Sequence, residues 1–175
     1  MVVGAGVPSP QVVFVGEAPG EWEDEHGLPF VGKSGKRLKA TLKDIGFNSD
    51  NVYMTNTVKC RPPDNREPKA SELEACSSFL LEQLRILDPW VIVALGKTSV
   101  QAILHTNQAL ASMRGRVFRL IQKFDVEGKE VTKVTPVFAT YHPSFILRNP
   151  SATEQWEADL MNVLKVLNKM ELAID

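Results

Sequence analysis

Cysteine is scarce in this chain. Its 175 residues include only two, Cys60 and Cys76, which is too few for the disulfide framework of a small secreted domain. They remain open to three readings: a metal half-site, a disulfide, or two ordinary buried thiols. Long apolar runs are also missing. Stretches such as "WVIVAL" at 90–95 are of strand length, well short of the ~20 residues that cross a bilayer. No basic-then-apolar leader opens the chain, so a cytoplasmic setting without a membrane partner is expected. The turn "LGKTS" at 95–99 lacks the first glycine of a phosphate loop, because position 91 is Val91. That excludes an ATPase of this type, although Lys97 or Thr98 can still meet a phosphate at a strand-to-helix turn.

Lys and Arg are absent from positions 1–32, which carry Glu17, Glu21, Glu23, Asp24 and Glu25. Positions 33–43 then hold Lys33, Lys36, Arg37, Lys39 and Lys43 with no acid among them. Such a block is ordinarily a solvated helix face. A formal net charge of −1 gives no whole-molecule attraction to a polyanion.

What is present suits one compact domain over 1–175, with 43% hydrophobic and 23% charged residues. Short β-branched runs at 11–15, 52–57, 90–95 and 135–140 predict interior strands of a largely parallel sheet. Helical periodicity lies between them. In 34–45, Leu38, Leu42 and Ile45 recur, with Ser34 placed to cap and Gly46 to stop the helix. "SELE" at 71–74 and "SATE" at 151–154 read as capping boxes of two longer helices. Leu73, Cys76, Leu80, Leu84 and Leu87 share one face of the first; Trp156, Leu160, Val163 and Leu167 share one face of the second. A shorter helix is expected at 97–104, and a turn between two short edge strands within 122–134. The alternation predicts an α/β three-layer sandwich with a central four-stranded sheet flanked by helices. Ligands of such folds gather at the carboxyl ends of the strands, so the loops 16–32, 58–70, 96–98 and 141–150 become candidates for chemistry.

"GEAPGEWEDEHGLPFVGKSG" at 16–35 has five glycines and two prolines. It can form a rigid, close-approaching wall, with Phe30 available to stack on a flat ligand; an acidic surface loop is the plainer alternative. In "TNTVKCRPPDNREP" at 55–68, Asn56 ends a strand, where its amide can donate and accept. Asn65 and Arg66 sit in a proline-stiffened loop suited to backbone phosphates. In "YHPSFILRNP" at 141–150, His142 stands just beyond the last strand, where it can donate to developing negative charge. Phe145, Ile146, Leu147 and Arg148 follow, either tucked into the core or exposed as a wedge between bases.

Together with "ELEAC" and "LGKTS", and in this order, these stretches resemble the uracil-DNA glycosylase superfamily, in its iron–sulfur (family 4) branch. The resemblance spans nearly the whole chain. It implies hydrolysis of the bond between uracil and deoxyribose in single- or double-stranded DNA, after the base is flipped out. It also implies that Phe30 stacks on uracil, Asn56 reads its polar edge and Glu23 disfavours thymine. His142 would stabilise charge on O2, with Glu17 and Asn65 as further catalytic candidates. Ala18, at the uracil site, stands where the best-known branch has an Asp. Lys97, Ser144 and Arg148 would meet phosphates, and Leu147 would be the wedge. Cys60 and Cys76 match two of four ligands of a [4Fe–4S] cluster. The other two family ligands form a Cys-x-x-Cys pair upstream, and this sequence has no such pair. An intact cluster is therefore not expected unless such a pair exists in the natural protein. A monomer is expected. Two other readings remain: a non-catalytic damaged-DNA-binding module of the same fold, and a glycosylase for another deaminated base such as hypoxanthine.

Overall fold

The computed structural model describes residues 1–174; Asp175, the end of the expected domain, lies outside the described residues. Strands and helices alternate along the chain: β1 (Ala5–Gly6), β2 (Val12–Gly16), α1 (Glu21–His26), α2 (Lys33–Ile45), β3 (Val52–Asn56), α3 (Ala70–Leu87) and β4 (Val91–Leu95). Then follow α4 (Lys97–Leu104), α5 (Leu110–Met113), β5 (Val117–Val126), β6 (Lys129–Thr140), α6 (Pro143–Arg148) and α7 (Thr153–Leu172).

The sheet has six strands in the order β1-β3-β2-β4-β6-β5, not the expected four. Its interior is the predicted parallel set, since β2 pairs parallel with β3 and β4, and β4 with β6. Two antiparallel strands close the edges: β1 on β3 and β5 on β6. The first is only two residues long, too short to leave a pattern. The second belongs to a long hairpin of ten and twelve residues, rather than a pair of short edge strands. Its turn is Glu127–Gly128, both with positive φ (52° and 80°), the geometry that suits the twist of a tight hairpin. Beyond Thr135 toward the tip most of the hairpin is exposed, so no alternation of buried and polar residues betrays its length.

Both faces of the sheet are covered. Val12, Phe14, Val91 and Val93 pack against Leu38 and Leu42 of α2, Ile146 of α6, and Trp156 and Leu160 of α7. On the other face Val13, Val15, Ile92 and Ala94 meet Leu80 and Leu84 of α3, Val100 and Ile103 of α4, and Met113 of α5. β2 and β4 are buried along their whole length, which explains their unbroken apolar runs. Burying each such side chain contributes about 1.5–3 kcal/mol.

The helix caps differ from expectation in detail. α2 begins one residue before Ser34, after Gly32, and no side chain caps it; it does end at Gly46, with φ 108°. In α3 the capping carboxylate is Glu72, which accepts the Lys69 N–H at 2.8 Å, so the cap lies two residues upstream of the expected box. α7 follows a single 3-10 turn, Pro150–Ala152, and its start carries no side-chain cap. Among the described residues no helix is long and apolar enough to cross a membrane.

Candidate active site

Four strand ends deliver the site. Gly16 ends β2, Asn56 ends β3, Gly96 follows β4, and His142 stands two residues past the end of β6. The β2–β3 junction is drawn tight beyond the ladder: both the N–H and the hydroxyl of Thr57 donate to the Gly16 carbonyl at 2.9 Å. The Val58 N–H donates to the Glu17 carbonyl at 3.1 Å.

Gly16 is the point where the base-site candidates meet. A Cβ there would lie 2.5 Å from Asn56 Oδ1 and 2.7 Å from the Phe30 ring, so only glycine lets the two side chains close over the strand end. Phe30 and Asn56 are both buried. Phe30 holds a left-handed backbone, φ 54°, uncommon for a bulky residue. Gly35 makes that possible, since a Cβ on it would come within 2.1 Å of the Phe30 carbonyl carbon. Glu23, on α1, is buried as well, and its Oε1 accepts the Gly32 N–H at 3.1 Å. Loop 16–35 thus turns Glu23 and Phe30 inward beside a short helix, while Glu21, Asp24 and Glu25 stay exposed.

His142 faces Phe30, with ring centroids 6.4 Å apart and planes at 29°. It caps α6: the Ser144 N–H donates to Nδ1 at 3.1 Å, and the Ser144 hydroxyl lies 2.7 Å from the same nitrogen. With Nδ1 accepting, the proton sits on Nε2. Burial, assisted by the positive charge of Arg148, pushes the His142 pKa down to about 4. The ring is therefore neutral near pH 7, a donor through Nε2–H that brings no charge of its own. Its strand is anchored from below. Thr140 donates to Asp159 at 2.7 Å, and Arg114 donates to both Asp159 oxygens at 2.9 and 2.8 Å. The Arg114 guanidinium lies over Tyr141 at 5.3 Å.

Glu17 approaches from β2, and its carboxylate accepts the Thr98 hydroxyl at 2.5 Å. Thr98 is a residue for which the sequence offered only a phosphate. Ala18 follows Glu17, half-buried. Lys97, Leu147 and Arg148 are exposed, and Ser144 is half-buried; segment 143–148 is a helix whose Ile146 enters the core while Leu147 stays outside. Asn65 lies in an exposed 3-10 turn, with its side-chain carbonyl accepting from Arg61 Nε at 2.7 Å. Arg66 pairs with Glu72 at 2.7 Å rather than projecting free.

The two cysteines are both unpaired thiols, Cys60 exposed and Cys76 half-buried on α3, so the disulfide reading falls. A cluster of the family kind takes four thiolates. Two cysteines do not compose that set, and among the described residues no group of three or more His, Cys, Asp or Glu is placed to hold a metal ion. Immediately before the first of these thiols lies a residue the sequence did not single out. Lys59 is buried, and its Nζ donates to Thr55 Oγ1, the Asn56 carbonyl and Gln83 Oε1 at 2.7, 2.8 and 2.7 Å. Burial lowers its pKa to about 8, against the opposing influence of Cys76. Its partners lie three and four residues back and on α3, a set no local motif announces.

A sequence model of the uracil DNA glycosylase superfamily matches residues 3–165. The chain belongs to the uracil-DNA glycosylase superfamily. It is 42% identical to a type-4 uracil-DNA glycosylase of Sulfurisphaera tokodaii, over 93% of this chain and 72% of that protein. A type-4 uracil-DNA glycosylase of Archaeoglobus fulgidus is 39% identical, over 97% of this chain and 83% of its own length. For the type-4 enzyme of Thermotoga maritima the identity is 43%, over 86% and 73%. These uracil-DNA glycosylases are of the type that the ordered motifs resemble.

Proposed function

We propose that this protein is a DNA-repair hydrolase that removes uracil from DNA by cleaving its N-glycosidic bond and leaving an abasic site. The observation that carries this reading is the meeting of Phe30 and Asn56 at Gly16, with a neutral His142 facing Phe30. A flat face, an amide and a single free N–H donor form a pocket for one planar, polar base.

In this reading uracil enters extruded from the DNA and lies against Phe30. Asn56 offers a donor and an acceptor to the N3–O4 edge, an order that cytosine reverses. Glu23, held by the Gly32 N–H, fills the space that a thymine methyl would need. The C1′–N1 bond then breaks, and its electron pair leaves with uracil as an anion spread over N1, O2 and O4. The Nε2–H of His142 meets O2 as that charge grows. Because the ring starts neutral and is already oriented by Ser144, it stabilises the anion without first releasing a proton, which is preorganised electrostatic catalysis. Water adds to C1′ of the cationic sugar. Glu17, oriented by Thr98, is the candidate to take the water proton; the bound uracil anion is protonated by solvent as it leaves. Asn65 would act only in the DNA-bound state, since in the free chain its carbonyl is engaged by Arg61. Lys97, Ser144 and Arg148 border the mouth as phosphate contacts, and Leu147, 46% exposed, is the wedge that fills the vacated stack.

Incubating the 175-residue chain with uracil-containing single-stranded DNA and measuring free uracil tests the reading. Release well above a His142→Ala control is expected. Retained DNA binding without release would replace it with a recognition module, and preferential release of hypoxanthine from inosine-containing DNA would replace the substrate.

A further inference from the structure

Lys59 is a charged side chain removed from water and satisfied entirely inside the fold. Each of its three N–H bonds has its own acceptor: Thr55 Oγ1, the Asn56 carbonyl and Gln83 Oε1. These acceptors belong to different parts of the molecule. Thr55 and Asn56 are the last two residues of β3, and Gln83 lies on α3. Thr55 in turn donates to the Val3 carbonyl at 2.7 Å, and Gln83 Nε2 donates to that same carbonyl at 2.9 Å. The Val2 N–H closes the circuit by donating to the Lys59 carbonyl at 2.6 Å. A parallel strand ordinarily splays at its carboxyl end, where the ladder stops. Here an ammonium bridges the terminal peptide of β3 to a helix and to the N-terminal segment.

We infer that Lys59 is a positioning residue for uracil selectivity: by holding the Asn56 peptide from the side opposite the pocket, it fixes the direction in which the Asn56 amide presents its donor and acceptor to the base. The 56–57 peptide is held on its N–H side by the Gly16 carbonyl, which accepts from Thr57 N at 2.9 Å, and Lys59 holds its oxygen. On the pocket side Asn56 Oδ1 abuts Gly16, so a small rotation of the 56–57 peptide swings the amide against the Gly16 backbone or away from the base. Charge-assisted hydrogen bonds are the strong ones, and three on one buried nitrogen give a stiff anchor. The inference rests on the reading of Asn56 as the group that contacts the base.

Free uracil provides the test, because it probes the pocket without the DNA grip. Lys59→Met keeps the chain length and removes the donors. Its inhibition constant for free uracil is expected to rise about tenfold, while its affinity for abasic-site DNA stays within twofold of the parent. Lys59→Arg, which returns donors and charge, is expected to recover part of the uracil affinity. Gln83→Leu, on a helix away from the pocket, leaves Lys59 one acceptor short and should raise the same constant about threefold; it decides the matter if Lys59→Met does not fold. Asn56→Ala run beside them separates the two ideas. If Asn56→Ala weakens uracil binding and neither Lys59→Met nor Gln83→Leu does, Lys59 has no positioning role. Equal losses of uracil and abasic-DNA affinity in a folded variant also overturn it, as a general structural role. If Asn56→Ala itself leaves uracil binding unchanged, the reading of Asn56 falls first.

Discussion

Asn56 of the candidate base site is only a few residues from Cys60 along the chain, yet that site and the cysteine-bearing loop are held in different ways. At the candidate site the side chains are held by neighbours of this same chain. Phe30 is trapped between Gly35 and Gly16, Glu23 by Gly32, Glu17 by Thr98, and His142 by Ser144. In the loop after Lys59 the polar groups satisfy one another at the surface, as in Arg61 with Asn65 and Arg66 with Glu72, and the Cys60 thiol faces solvent. The chemistry of the pocket is therefore set by packing. That of the loop depends on what else comes to it.

The comparison predicts unequal sensitivity to small changes. Gly16→Ala should do the most damage, because the added methyl meets Asn56 and the Phe30 ring well inside contact distance. An ångström-scale displacement of binding groups commonly costs about 100-fold; a kcat/KM for uracil excision within threefold of the parent would show that the pocket is looser than described. Next in size is Leu147→Ala, expected to lower excision from duplex DNA about fivefold with little change on single strands, since only the duplex has a stack to refill. Equal losses on both would remove the wedge.

A third effect concerns pH. His142 in the folded protein resists protonation until about pH 4, whereas in the unfolded chain it titrates near its ordinary ~6.5. Between those values the unfolded state binds more protons, so this residue makes the fold lose stability as pH falls through that window and contributes no pH dependence above it. Nuclear magnetic resonance should find its midpoint well below 6, and Arg148→Gln should move that midpoint upward by removing the nearby positive charge. An unchanged midpoint would mean that burial acts alone. The smallest effect is expected in the loop. Cys60→Ser in this chain should shift stability by no more than about 0.5 kcal/mol and excision by less than twofold. A large loss would show that the exposed thiol is engaged by something that the chain alone does not supply.

Legibility in the sequence followed the same division. The interior strands are visible because both of their faces are buried, which leaves unbroken β-branched runs at Val12–Val15 and Val91–Leu95. α3 and α7 are visible because one face of each meets the sheet. α6 looks like a loop in sequence because His-Pro followed by an apolar stretch carries no helical period over six residues. The hairpin strands look short in sequence because their outer halves bury almost nothing. At the site, Phe30, Asn56 and His142 could be named from motifs, but the contacts that orient them could not. Thr98 on Glu17 and Lys59 on Asn56 join residues through the fold, and such pairings leave no spacing to read.

One consequence of the hairpin concerns handling rather than chemistry. β5 runs for ten residues along the border of the sheet, and its outer N–H and C=O groups are free to pair with any extended chain that drifts alongside. Ile121 and Val126 are exposed there, and Arg119 and Lys123 flank Ile121. Like charges keep two such borders apart only while the solvent lets them feel each other, and at about 1 M salt that reach shrinks to ~3 Å. Concentrated stocks should accordingly stay clear in dilute buffer and turn cloudy as salt is raised.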